Sequence, residues 1–164
     1  AGGTARAACF ALRAMGFQQV LVLNRTLARA EAVAGSFGAR PCADVAEVEA
    51  LADLDVVVGT LPGDADMPLT GSVLSRFRPV VLDAAYRPRE TPLLRLARGS
   101  GCETIEGVEM LFEQGCAQCE TWTRRPAPRP QIAAALVRDC FEPSDPAPPG
   151  LREEAADASP GAEQ

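Results

Sequence analysis

The sequence predicts an α/β fold, a Rossmann-like doubly wound parallel sheet, and three observations carry that expectation. Short apolar runs alternate with stretches of helical apolar periodicity along most of the 164 residues. The runs at 20–23, 56–58 and 80–82 show no polar alternation, as strands covered on both faces of a parallel sheet do. Finally, Ala1-Gly2-Gly3-Thr4-Ala5-Arg6 is a glycine loop leading directly into a helical pattern. Such a loop follows a strand, so the first strand of the sheet is expected to be missing from the chain. In the usual order 3-2-1-4-5-6 that strand is central, between the runs at 20–23 and 56–59.

The elements follow in order. Residues 3–15 read as a helix, with Gly16 as its stop. Residues 27–36 form a second helix and 39–42 a short strand. Asp44 with Glu47 makes a capping-box-like start for a helix to about 52. The run at 55–60 is a strand ending in the loop 61–64, and a short helix near 72–76 leads to the strand 80–84. Thr91-Pro92 is an N-cap followed by proline at the first helical position, and Gly99 closes that helix. A strand at 103–105, a helix at about 108–121 and another near 130–141 complete a domain over residues 1–141. From 142 onward, proline and acid with almost no apolar content predict a disordered acidic tail, residues 142–164.

Composition limits the chemistry. The chain has no His, and all 16 of its basic residues are Arg, so it has no Lys. Serine–histidine and cysteine–histidine nucleophiles, histidine metal sites and Schiff-base lysines are excluded, and no metal site is expected. The net charge of −6 is concentrated after residue 140 and leaves no basic surface for nucleic acid. No apolar run approaches the roughly 18 residues that would cross a membrane. The six cysteines read as reduced core residues of a cytoplasmic protein. Cys116 and Cys119 have redox or zinc spacing but lie in a helical pattern without a second pair.

The glycine loop carries the functional reading. Glycines admit a pyrophosphate to the backbone, and the helix behind them offers free N–H groups and a positive dipole end. About 20 residues on, NAD enzymes place an acid on the ribose hydroxyl. Here Asn24 stands at the end of the second strand, followed by Arg25, Thr26 and, one helical turn on, Arg29. An acid would repel a 2′-phosphate, whereas a guanidinium holds it by paired charge-assisted bonds. The expected cofactor is NADP.

Several motifs resemble the NADP-binding domain of shikimate dehydrogenases. They are the loop at 1–7, Asn24-Arg25-Thr26, Tyr86-Arg87-Pro88 with Thr91-Pro92-Leu93-Leu94, and Gly107-Val108-Glu109-Met110-Leu111 with Gln114 and Trp122-Thr123. The stretch 111–123 is most similar to the corresponding part of the fungal pentafunctional AROM polypeptide. The resemblance implies interconversion of shikimate and 3-dehydroshikimate by hydride transfer, within aromatic amino-acid biosynthesis. It implies that Gly2, Gly3 and Thr4 contact the pyrophosphate and that Asn24, Arg25, Thr26 and Arg29 surround the 2′-phosphate. It sets Thr60, Leu61 and Pro62 beside the cofactor, Gly107 and Met110 at the nicotinamide, and Tyr86 and Gln114 at the substrate. Gly59 stands where many relatives have Asn. Trp122 reads as a packing anchor, and Asp83, ending a strand, as either a structural hydrogen-bonding group or a site residue.

The family's proton-transfer Lys and Asp belong to an N-terminal substrate domain. No catalytic residue is therefore expected in this chain, a missing N-terminal domain is its expected partner, and the chain alone is expected to be inactive. Other readings stay open: a quinate/shikimate dehydrogenase using NAD, a non-catalytic regulator resembling the quinate-pathway repressors, or a remnant of a truncated gene.

Overall fold

The structure, a computed structural model, describes residues 2–141 and 146–158. It divides into two compact units, Ala1–Thr104 and Ile105–Gln164. The first holds α1 (Gly3–Ala14), β1 (Leu21–Leu23), α2 (Leu27–Phe37), β2 (Arg40–Cys42), α3 (Val45–Glu49), β3 (Val56–Gly59), α4 (Gly71–Phe77), β4 (Val80–Asp83) and α5 (Pro92–Gly99). The strand β5 (Thr104–Ile105) closes it.

The strands are parallel and alternate with helices, as expected. They form two hydrogen-bonded groups, β1-β2 and β3-β4-β5. Among the described residues, no hydrogen-bonded pairing joins β1 to β3. Leu21 lies opposite Arg40 and Leu23 opposite Cys42; Val56 lies opposite Val80 and Gly59 opposite Asp83.

Alternation along β1 explains why its run is apolar throughout. Val20 and Val22 pack with Cys9, Ala30 and Val33 beneath α1 and α2. Leu21 and Leu23 face the other way, against the cluster of Val73, Leu74, Val81, Leu93 and Ala97. The three valines of β3 are half-buried, less enclosed than expected; among the described residues β3 has β4 on one edge and no hydrogen-bonded strand on the other. Arg13 ties the helix ends together, donating to the carbonyls of Phe37, Phe17, Gln18 and Gly38.

Asp44 caps α3, accepting from the Ala46 N–H at 2.9 Å. The expected capping box does not form, because Glu47 is drawn to Arg40 at 2.9 Å. Helix α3 ends at Glu49, short of the expected 52.

The second unit is helical: α6 (Gly107–Thr123), α7 (Arg129–Cys140) and α8 (Pro149–Ala156). Val108, Phe112 and Cys116 form one face of α6 and pack with Ala133 of α7 and Leu151 of α8. Trp122 does not share that face and is 76% exposed, so it is not the packing anchor expected. The stretch after residue 141 was expected to be disordered. Instead Pro149 starts α8, Leu151 is 3% exposed in the core, and Glu154 pairs with Arg129 at 2.8 Å. One buried leucine with Ala155 behind it, one turn on, supplies the apolar side that overall composition concealed. Residues 142–145 and 159–164, which belong to the same expectation, lie outside those described.

All six cysteines are free thiols. Burial pushes the thiols of Cys9, Cys42, Cys102 and Cys116 above the ordinary range. Cys116 is therefore a core residue, the opposite of the low-pKa thiolate that redox chemistry requires. No helix among the described residues is long and apolar enough to cross a membrane.

Candidate functional site

Parallel pairing brings the C-terminal ends of β3 and β4 side by side, and the chain leaves both ends along the same edge. The Ala84 N–H, one residue past the last paired position of β4, donates to the Gly59 carbonyl at 2.9 Å. Beyond this point lies a cleft of about 350 Å³ lined by Thr4, Thr60, Leu61, Pro62, Ala84, Ala85, Tyr86 and Arg87. Its place at the carboxyl ends of parallel strands is where doubly wound sheets hold ligands. Thr4 brings in the first turn of α1, where helical N–H groups lack intrahelical partners. Cβ atoms at Gly2 and Gly3 would meet nothing within 4 Å, so the backbone there is open to close approach.

Two glycines shape the walls. A Cβ at Gly59 would stand 2.5 Å from Leu93 Cδ2 and 2.8 Å from Asp83 Oδ1. One at Gly63 would stand 2.6 Å from the Arg87 carbonyl oxygen. The loop after β3 and the loop after β4 therefore meet backbone to backbone at the rim. At the base, Asp83 is 5% exposed; its Oδ1 accepts from the Ala85 N–H at 3.1 Å and its Oδ2 from the Thr91 hydroxyl at 2.6 Å.

A second group gathers where β1 passes into α2. The Asn24 N–H donates to the Cys42 carbonyl at 3.0 Å, fixing the strand end. Its side-chain Oδ1 accepts from the Thr26 N–H at 2.9 Å, a local turn that short amide side chains favour. Thr26 occupies the N-cap position of α2, yet its hydroxyl makes no capping bond. Arg25, Thr26 and Arg29 are all exposed, and neither arginine forms an ion pair among the described residues. The turn presents two guanidinium groups and an uncommitted hydroxyl at a helix N-terminus, which is the chemistry of a phosphate site.

The structure brings Thr4, Thr60, Leu61, Pro62 and Tyr86 of the expected site residues to one cleft. Gly2 and Gly3 adjoin it through Thr4. Asn24, Arg25, Thr26 and Arg29 form their own group and do not line the cleft. Gly107, Met110 and Gln114 belong to the second unit, on α6; Gly107 is buried, Met110 half-buried and Gln114 exposed. Gln114 follows Met110 by one turn, off the buried stripe of Val108, Phe112 and Cys116. The Glu106 N–H donates to Glu109 Oε1 at 2.8 Å, fixing the start of this helix. The sequence reading missed Ala84, Ala85 and Arg87 as cleft residues. Their signal was their position: they bracket Tyr86 just past a strand's C-terminal end.

The profile described as Shikimate / quinate 5-dehydrogenase matches residues 1–65, and that described as Shikimate 5'-dehydrogenase C-terminal domain matches residues 107–137. A shikimate dehydrogenase (NADP(+)) of Mesorhizobium japonicum is 37% identical over 142 residues, covering 83% of this chain and 49% of that protein. A pentafunctional AROM polypeptide of Clavispora lusitaniae is 34% identical over 158 residues, covering 84% of this chain and 10% of its own length. Among solved structures, the shikimate 5-dehydrogenase of Thermus thermophilus in complex with NADP(H) and shikimate superposes with a TM-score of 0.69 at 32% identity, covering 84% of this chain and 52% of that one. The chain spans about half the length of the single-function relative and about a tenth of the multifunctional one.

Proposed function

We propose that this chain, which belongs to the shikimate dehydrogenase family, is the NADP-binding part of an enzyme that interconverts shikimate and 3-dehydroshikimate. One observation carries the choice of cofactor. At the end of β1 the acid that would accept a ribose hydroxyl is replaced by Asn24, and Arg25, Arg29 and the Thr26 hydroxyl stand unengaged beside it among the described residues.

The residues fit a dinucleotide. Gly2 and Gly3 leave the backbone uncovered, and Thr4 with the first turn of α1 receives the pyrophosphate. Arg25, Thr26 and Arg29 hold the 2′-phosphate. Thr60, Leu61 and Pro62 form the cofactor wall of the cleft, and Tyr86 borders the substrate. Gly107 and Met110 serve the nicotinamide and Gln114 the substrate hydroxyls, by resemblance to the family. The cofactor, when bound, supplies the hydride; this chain binds and orients.

By resemblance to the family, proton transfer falls to a Lys–Asp pair, and this chain contains no Lys. The acid–base pair and most of the substrate contacts come from the family's substrate domain, and the chain by itself gives no turnover. The compartment that fits this biosynthetic role is the cytoplasm. The test is a thermal-shift titration with NADP and NAD. A ligand at a hundred times its Kd stabilises by about 2.7 kcal/mol, so NADP raises the melting temperature at concentrations where NAD does not. Equal stabilisation by both would overturn the assignment of Arg25 and Arg29.

A further inference from the structure

We infer that Asp83 and Thr91 act together as positioning residues, fixing the wall of the cleft that carries Tyr86; the inference rests on the cleft being the cofactor and substrate site. Asp83 does not line the cleft, and at 5% exposure it lies where a polar group is costly unless it is bonded. Both of its oxygens are engaged. Oδ1 accepts from the Ala85 N–H at 3.1 Å, and Oδ2 accepts from the Thr91 hydroxyl at 2.6 Å.

Thr91 is 1% exposed and works in both directions. While its hydroxyl donates to Asp83, its oxygen accepts from the Leu94 N–H at 3.2 Å, capping α5. The segment that bears Tyr86 therefore leaves β4 and enters α5 through one buried pair. The Ala84 N–H, held by the Gly59 carbonyl, fixes where the segment starts. At the rim the Arg87 carbonyl rests against Gly63. With its exit, its entry and its rim held, the 84–90 segment has little freedom to move Tyr86 relative to the β3 loop. An apolar pair would fill the same space but would not set the direction in which the chain leaves the strand.

Tyr86 is the sole tyrosine of the chain, so a sample made with isotope-labelled tyrosine gives one set of ring signals in an NMR spectrum. In the chain as it stands the ring signal is sharp and shifts on adding NADP. Thr91→Val keeps the side chain's shape and removes the hydroxyl. It broadens or splits the Tyr86 signal before any ligand is added, and it weakens NADP binding about tenfold, the scale of one buried charge-assisted bond. Asp83→Asn, which is isosteric and opens no cavity, disturbs the same signal in the same way. Thr91→Ser restores both the signal and the affinity. Circular dichroism confirms that each variant retains its helices at the temperature used. The inference fails if Thr91→Val and Asp83→Asn melt lower yet keep a sharp Tyr86 signal and unchanged NADP affinity, for the pair is then structural alone. If the unaltered chain does not respond to NADP, the cofactor assignment fails, while the ligand-free Tyr86 signal still decides the positioning role.

Discussion

Gly59 and Asp83 stand opposite one another in the β3–β4 ladder, and the Asp83 carboxylate occupies the space that any side chain on residue 59 would need. A Cβ there would come within 2.8 Å of Oδ1 and 2.5 Å of Leu93 Cδ2, and Leu93 is only 1% exposed. Glycine at position 59 is thus a packing requirement of this chain. Gly59→Ala is expected to destabilise the first unit by about 1–3 kcal/mol, the usual range for overpacking a core. Gly59→Asn, the residue that the resemblance gives to many relatives, is expected to do at least as much damage and to give no gain in cofactor affinity. Urea midpoints and NADP titrations check both. A Gly59→Asn variant that bound NADP more tightly at full stability would show that the Asp83 wall yields.

Arg25, proposed to hold the 2′-phosphate, is expected to discriminate between the two cofactors with a distinct signature. It is exposed at the β1–α2 turn, outside the cleft lined by Thr4 and Tyr86, so on that proposal its removal is expected to affect the 2′-phosphate and to leave the rest of the dinucleotide alone. Arg25→Ala is expected to weaken NADP about tenfold or more, in line with 1.5–3 kcal/mol for a hydrogen bond to a charged group, while NAD changes less than about twofold. Calorimetric titration with both cofactors reads this ratio. Equal loss for the two would move Arg25 from the 2′-phosphate to a part they share.

Local chemistry was legible in the sequence wherever a motif sufficed to specify it. Thr91-Pro92 announced the start of α5, and the hydroxyl does accept from Leu94. The apolar run of β1 announced two covered faces, and its residues feed two separate clusters. Five of the expected site residues met in one cleft, because glycine loop and strand ends are tied to position in this fold. What escaped depended on partners far along the chain. Glu47 looked like a capping residue until Arg40 took it. Trp122 looked like an anchor because tryptophans usually bury, but the face that α7 and α8 cover is set by Val108, Phe112 and Cys116. Asp83 could be read two ways until Thr91 was seen against it.

Leu151 tests the last helix. It is 3% exposed among Val108, Phe112, Cys116 and Ala133, so α8 is part of the second unit's core. Leu151→Ala is expected to cost that unit about 2–4 kcal/mol, the usual loss for a leucine truncated in a core. Limited proteolysis is expected to cut the variant within residues 146–158 at protease levels that spare the parent chain. If Leu151→Ala unfolds at the same denaturant concentration as the parent, α8 is an attachment and not part of the core.

Glu113 gives the unit a measurable acid sensitivity. Arg129 reaches it at 2.8 Å and Glu154 at 2.8 Å, joining α6, α7 and α8 through one guanidinium. The hydrogen bond from Arg129 holds the Glu113 carboxyl below its ordinary value of 4.5. A carboxylate whose pKa is lowered by folding adds stability above its unfolded pKa and loses it as pH falls through the folded value. Glu113 is 64% exposed, so the contribution is no more than about 1 kcal/mol and is screened by salt. Glu113→Gln is expected to lower the urea midpoint slightly near pH 7 and to differ less from the parent chain near pH 3, where more of the Glu113 carboxyl is protonated. Raising the salt concentration near pH 7 narrows the gap. A gap of the same size at both pH values would mean that Glu113 acts by packing, and its charge would have no part in holding α6 to α7.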